Sequence, residues 1–548
     1  LLGGEAKGSL LALLIEKGWA DGLVAGAGDA EDDYSIFEVR VACTPAGMEK
    51  WSQVVSHVFT AIRAIKKGLN NGTEAARVGR MIQHVDELNF DYKEEEEASG
   101  YTSDLAGNLH QYEASDALRG PAVTSGFNAT RLAGLLARMT PQRLLLLRAD
   151  FARNLTKVQK EKWYGTEYAE LALPAGSLEE WSYPGVPSDG GLSLPEANAF
   201  LPSDFKLLAQ PKRAAASAAA GAAEPPQLLF NRSSGTLWHR TETSFGLPMA
   251  TMQLSWAVPR VGRSARGAVL AQMLELCVRE QLRAISYDAG VAGSAVALGS
   301  STSGFELSAY GYSQRLETLL DTMLDNVRRP RLARASTDRH TATHACNTAT
   351  HIHLPWHLSQ VVNLEQGYKG TKRFQEQKTR LLRALADAAK QAPNAYAAQL
   401  SQHLTRRTHW LPEQLLAALK PLKMADLANF GKAITTDDRT SVEGLVLGNL
   451  DAARAEKMLS AASAKLVAQP LHFAERPRQG VVDLQQQALV LPVVHPNKDE
   501  PNSAVQLAVQ FGRLGPKQAA TAELLSDMLG QPFFNELRTH QQLGYIVG

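Results

Sequence analysis

An α+β fold assembled from repeated α/β units is what this 548-residue sequence predicts, and two features predict it. The first is a twelve-residue shape that occurs three times without a gap: Ile15 to Gly26 (IEKGWADGLVAG), Leu282 to Gly293 (LRAISYDAGVAG) and Leu537 to Gly548 (LRTHQQLGYIVG). In each, an apolar residue closes an amphipathic helical run, a polar turn follows, and the chain re-enters as a short apolar strand ending in Gly. The starts lie 267 and 255 residues apart, too far for a solenoid and suited to a duplicated domain. The second feature is that period-two strands are followed by helical apolar stripes at matching places in the first two copies.

Taken in order, Gly8 and Ser9 open a helix whose Leu10, Leu11, Leu13 and Leu14 run to Gly18, a C-terminal stop signal. A strand is expected around Leu23 and Val24, and a second over Ile36–Ala42, where apolar and polar residues alternate. Pro45 then starts a helix carrying Trp51, Val54, Val55, Val58, Phe59 and Ile62 at helical spacing. The second copy repeats the plan, with Phe305–Tyr310 as strand and Leu316, Leu319, Leu320, Met323 and Leu324 as the stripe of the next helix. Further strands are expected at Arg143–Arg148 and Val442–Gly448, the latter followed by a helix from Asp451 to Leu466. Pro211 to Pro226 is an Ala-rich, Pro-bounded linker. The third copy opens with alternating strands at Leu489, Leu491, Val493 and at Val505, Leu507, Val509, Phe511, then a helix from Lys517 to Leu529. On a common ruler the first copy lacks about 40 residues at its front and the third most of its length after Gly548.

Composition narrows function. Lys plus Arg number 57 against 56 acidic residues, so no global field recruits nucleic acid or an anionic membrane. Cys43, Cys277 and Cys346 have no paired spacing, which excludes a disulfide framework or thiolate zinc site and fits a reducing compartment, the cytoplasm or an organelle. No run of 18 uninterrupted apolar residues exists, so no membrane span is expected.

Few residues carry chemistry. Arg538 and Tyr545 stand seven apart, at a helix end and at the start of a strand doubling back beside it. A guanidinium and a phenol brought together there can both donate to a carbonyl developing negative charge. The matching positions of the other windows are Arg283 with Gly290 and Glu16 with Leu23, so the fold does not demand the pair. His340 with His344, and His353 with His357, have the i,i+4 spacing of zinc ligands, but no acidic residue lies within either pair and Pro355 interrupts the second. His84, His110 and His239 each begin an HxxEH pattern that Leu88, Ala114 and Thr243 leave unfinished. Gly3–Ser9 has the glycines of a phosphate loop in the wrong order, and reads better as a helix N-terminus that lets another backbone approach. Glu94–Glu97 is a solvated acidic run.

Several stretches nonetheless carry a family resemblance: Leu2–Leu11 (LGGEAKGSLL) with Lys17–Trp19, Gly100–Ser103, Trp163–Tyr168 (WYGTEY), Phe200–Phe205 (FLPSDF), Leu447–Asn449, and Leu537–Thr539 with Gln542–Val547 (QLGYIV). Through these the chain resembles the insulinase or pitrilysin-like (M16) zinc metallopeptidases over nearly its whole length. The resemblance implies four homologous α/β domains of the LuxS/MPP-like type, in two halves that close like a clamshell around a peptide chamber. It assigns 1–182 to the second domain with its front missing, 183–226 to the linker between halves, 227–480 to the third domain and 481–548 to the start of the fourth. The zinc ligands and catalytic Glu then belong to a first domain outside this chain, so no metal ligand is expected here. Arg538 and Tyr545 match the family's pair that steadies the oxyanion. Gly3, Gly4, Glu5 and Gly8, with Leu23, Val24, Ala25 and Gly26, match its exosite, where an edge strand takes the substrate N-terminus by β-augmentation. Gly4 stands where the family has His, and Ala6 and Ala25 where it has Gly. The expected function is therefore the non-zinc portion of a peptide-degrading metalloendopeptidase, inactive alone. The alternative is a non-catalytic homologue that binds peptides or serves as a scaffold subunit. Expected partners are peptides and a second copy of the chain in a homodimer, without nucleic acid.

Overall fold

The computed structural model describes residues 1–30, 34–124, 126–149, 157–183, 191–209, 225–233, 235–328, 368–388, 390–484 and 489–544. In the first unit, α1 (Leu10–Lys17) starts where the Ser9 side chain accepts a bond from the Ala12 amide, 3.2 Å. It stops at Gly18, whose φ of 70° lets the chain turn straight into β1 (Ala20–Ala30). β1 pairs antiparallel with β2 (Ser35–Cys43). The helix expected from Pro45 is divided: a short turn of helix, Pro45–Glu49, ends at Lys50, and α2 (Trp51–Leu69) then carries the apolar stripe. With α3 (Gly72–Asp91) and the buried Trp181, α1 and α2 enclose a core of Leu10, Leu11, Leu14, Leu23, Phe59 and Ile62. The Trp181 indole donates to the Ser52 carbonyl at 3.1 Å.

The second unit holds the larger core. Its sheet contains β3 (Gln227–Arg232), β4 (Gly235–Thr241), β5 (Met249–Ala257), β6 (Ala295–Ser301), β7 (Gly304–Tyr312) and β8 (Arg439–Gly448), in the order β3-β4-β8-β5-β7-β6. Gln469–Pro470 adds a short parallel partner to β8. The β4–β8 pair is parallel and the other pairs along that order are antiparallel. Register aligns Leu237, Gly444, Leu254, Leu307 and Leu298 in one row across five strands. Over this face lie α4 (Ala265–Val291), α5 (Ser313–Arg328) and α7 (Ala452–Leu466), while α6 (Pro393–Thr405) is peripheral. Gly444 belongs in that row because a Cβ there would lie 2.9 Å from a methyl of Leu459 on α7.

Residues 191–209, within the stretch expected to link two halves, are packed on both units. Leu192 and Leu194 enter the first core, and Phe200 packs on Ala289, Ala292 and Leu319 of the second unit. The buried Asn449 side chain clamps the far end, accepting from the Leu208 amide at 2.8 Å and donating to the Lys206 carbonyl at 2.9 Å and to Ser313 Oγ at 3.1 Å. Residues 184–190 and 210–224, which include most of the Ala-rich run, lie outside the described residues.

Four expectations are corrected. Leu282–Val291 is continuous helix to the end of α4, with no internal turn; the reversal comes at Gly293, φ 68°, where the Ser294 amide reaches back to the Ala289 carbonyl at 2.8 Å. Ser286, Tyr287 and Asp288 are good enough helix residues that nothing local ends the hydrogen-bond ladder before that glycine. Arg143–Arg148 is a 3-10 turn (Pro141–Arg143) followed by unpaired chain, with Leu145 and Leu147 82% and 84% exposed. Leu489–Val493 and Val505–Phe511 are likewise unpaired. Alternation makes a strand only when a neighbour takes the backbone groups, and none does so among the described residues. The helix expected at Lys517–Leu529 is present as α8 (Pro516–Phe534), prolonged by a π-helical turn, Asn535–His540. No helix among the described residues is long and apolar enough to cross a membrane.

Candidate functional site

Three helix ends share one geometry. The chain reverses at Gly18, Gly293 and Gln542, with φ of 70°, 68° and 50°. Beside each, an amide closes onto a carbonyl one turn back: Trp19 to Leu14 at 2.9 Å, Ser294 to Ala289 at 2.8 Å, and Leu543 to Leu537 at 3.0 Å, the last one residue wider because the turn is π-helical. This alignment replaces the one expected from the windows. Three residues after the cap stand Asp21, Val296 and Tyr545. The residue that accepts the closing hydrogen bond is Leu14, Ala289 or Leu537, so Arg538, one residue on, matches Ile15 and Gly290, and only the third copy places a guanidinium there. Its Cζ lies 4.7 Å from the Phe534 ring centroid, a cation–π contact that orients the side chain on the helix end. Tyr545 lies outside the described residues.

The other expected residues do meet. Gly3 lies against β1 so closely that a Cβ would stand 3.1 Å from the Ala25 carbonyl oxygen and 3.3 Å from its amide nitrogen. Gly8 has φ of 86°, faces Ser193 Oγ where a Cβ would intrude, and accepts at its carbonyl from the Ser193 amide, 3.0 Å. Along β1, Leu23 is buried and Val24 is 71% exposed, so the strand anchors one face in the first core and leaves the other in solvent. Ala25 packs at the core margin, and Gly26 has open space around the position of its absent Cβ. Among the described residues β1 pairs only with β2, which leaves its second edge without a strand.

The second unit completes this place with residues the sequence did not single out. A Cβ on Gly4 would lie 3.8 Å from the Tyr287 hydroxyl, and burial, then the charges of Glu5 and Asp288, push that phenol above its ordinary range. Arg283 on α4 donates to the Asp21 carbonyl at 2.6 Å and pairs with Glu280 at 2.7 Å, while Arg380 forms an ion pair with the Asp21 carboxylate. Two units thus meet at the start of β1. Tyr287 lay inside a repeated window, and its place on a helix rather than in a turn is what hid it.

The histidines that began metal patterns are committed elsewhere. The imidazole of His239 is buried against the Leu450 carbonyl, 2.8 Å, and that of His84 contacts the Pro202 carbonyl at 3.0 Å. The pairs His340/His344 and His353/His357 lie outside the described residues. Among the described residues no group of three or more His, Cys, Asp or Glu could hold a metal ion, so the described donors do not fit zinc. Equilibrium dialysis of this chain against zinc is expected to show no stoichiometric binding; one tightly held zinc per chain would contradict that. The buried Cys277 thiol is pushed up to about 12 by burial first and the Glu280 charge second, which keeps it protonated at neutral pH.

Comparisons with known proteins agree on one family. Residues 90–418 match the model described as the middle or third domain of peptidase M16, and residues 422–548 match the peptidase M16 inactive domain. A nardilysin-like protein of Arabidopsis thaliana is 24% identical over 565 residues, covering 100% of this chain and 49% of the relative. Insulin-degrading enzyme of Homo sapiens is 24% identical over 556 residues, again covering 100% and 49%. The peroxisomal insulin-degrading enzyme-like 1 of Arabidopsis thaliana is 25% identical over 557 residues, covering 100% and 52%. The chain therefore spans about half the length of the curated relatives it matches. Among solved structures, pitrilysin aligns with a TM-score of 0.58 at 18% identity, over 85% of this chain and 44% of that chain, a likeness of fold.

Proposed function

This chain belongs to the M16 peptidase family, and on that premise we propose that it captures and positions peptide substrates for hydrolysis at a zinc site that its own described residues do not build. The observation that carries the reading is the edge of β1. A strand edge exposes backbone N–H and C=O groups at the spacing an extended peptide needs, so a substrate N-terminal segment adds there as a further strand. Gly3 keeps side-chain atoms away from the Ala25 backbone, and Glu5 beside Tyr287 supplies negative charge where a peptide amino group would arrive. The loss of the family's imidazole at Gly4 and of the glycine at Ala25 leaves main-chain pairing as the principal source of affinity. On the same reading, Arg538 and Tyr545 donate to the oxyanion and the partly exposed face of the larger sheet forms a chamber wall. On the same reading the protein works in a reducing compartment, the cytoplasm or an organelle, which the unpaired spacing of its cysteines supports.

A labelled extended peptide titrated into this chain tests the capture step by fluorescence anisotropy. Gly3→Leu, which would fill the space at Ala25, is expected to weaken binding about tenfold or more. Equal binding by the variant would place capture elsewhere. A second reading, a peptide-binding or scaffold subunit without catalytic work, draws support from the match of residues 422–548 to a domain described as inactive. Arg538, a cation where the other two copies carry Ile15 and Gly290, weighs against it.

A further inference from the structure

The two faces of the larger sheet are unlike. Helices cover one; among the described residues the other is partly exposed, with Trp238, Glu443, Gln253, Ser255, Glu306 and Tyr310 pointing from it, and is covered at Tyr312 by Tyr92 and Phe205. Register sets Glu443, Ser255 and Glu306 side by side across β8, β5 and β7.

The two carboxylates of that row differ. Glu443 is compensated, accepting from the Trp238 indole at 2.9 Å and pairing with Arg476 at 3.5 Å. Glu306 accepts from Ser255 Oγ at 3.1 Å, and among the described residues no cationic group lies within ion-pair distance of it. Burial pushes its carboxyl above the usual range, against the pull of the Ser255 bond. The Arg476 guanidinium on this face is taken up by Glu443, and the Glu94 carboxylate is near enough to Tyr310 on the same strand to push that phenol further up after burial has raised it. A carboxylate partly stripped of water and lacking a counter-charge gains most from an arriving cation.

We propose that Glu306 is a specificity-determining residue, the acceptor for a Lys or Arg side chain of a peptide lying across the exposed part of this sheet face. The choice of a cationic peptide follows from charge complementarity at Glu306, and the inference rests on the peptide-binding reading above. Gln253, diagonal to Glu306 on the adjacent strand, offers an amide to the backbone of the same peptide. A Glu side chain at the same place would set two carboxylates against each other and be rejected.

The experiment uses three labelled twelve-residue peptides of Gly, Ser and Ala that differ in two positions, carrying Arg, Gln or Glu. Anisotropy at low salt is expected to rank them Arg over Gln over Glu, with about a tenfold gap between Arg and Gln. Glu306→Gln should remove most of that gap while leaving the Gln peptide's affinity unchanged, and Glu306→Lys should reverse the order. Both substitutions fall at an exposed position, and an unchanged melting temperature confirms intact variants. Equal binding of all three peptides by the unaltered chain, or an Arg preference that survives Glu306→Gln, overturns the assignment while leaving peptide capture standing. Failure of all three peptides to bind overturns the capture reading and this inference with it.

Discussion

Replacing Arg538 with Ala, or Tyr545 with Phe, in the whole protein is expected to lower kcat by about 10²–10³-fold with little change in KM, the signature of donors that act on the transition state rather than on bound substrate. One helix end occurs three times in the chain. The residue that accepts the closing hydrogen bond is apolar in all three, Leu14, Ala289 and Leu537. The next residue is Ile15, Gly290 and Arg538, so the cation belongs to the third copy alone, its guanidinium set over the Phe534 ring. Three residues after the cap stand Asp21 and Val296 in the first two copies and Tyr545 in the third, so the phenol too belongs to this copy alone. Steady-state kinetics on a fluorogenic peptide separate the outcomes. A rise in KM at constant kcat would make the pair a ground-state binding element, and no change in either would remove it from the chemistry.

The second large effect is on stability. Trp256 is 1% exposed at the centre of the larger core, its ring 5.3 Å from that of Phe305 on the adjoining strand. Trp256→Ala is expected to destabilise the chain by about 3–5 kcal/mol, from lost apolar burial and the cavity left behind. Trp256→Phe should cost less than about 1.5 kcal/mol, because the fit is largely kept and the buried indole N–H has no hydrogen-bond partner to lose among the described residues. Urea unfolding monitored by circular dichroism measures both. Similar losses for the two variants would mean that the shape of the indole, rather than the bulk of any aromatic ring, holds the site.

Local chemistry was the legible part of this fold. Ser9 and Gly18 bracket α1, and Asp451 caps α7 through the Arg454 amide at 2.8 Å, each within a turn of the residue that announces it. The strands at Phe305–Tyr310 and Val442–Gly448 were visible because half their residues face a packed core. What escaped depends on partners far along the chain. Leu489–Val493 alternates like a strand and pairs with nothing among the described residues, whereas β4 and β8 pair in parallel across some two hundred intervening residues. The packing of residues 191–209 over both units could not be read from their own composition, since Asn449 holds them from the second unit. In the candidate site the glycines near β1 were legible as places of close approach, and Tyr287 was not, because its role comes from the other unit. Arg538 was legible only through comparison among copies, and the register of that comparison had to be set by the closing hydrogen bonds at the positive-φ caps.

Amide hydrogen exchange on this chain, with and without a saturating extended peptide, tests the capture reading most directly. Addition of the peptide to the β1 edge predicts new protection of backbone amides between Leu23 and Gly26, with β2 amides that already face β1 unchanged. A peptide that binds to saturation while the β1 amides exchange as they do in the free chain would contradict it.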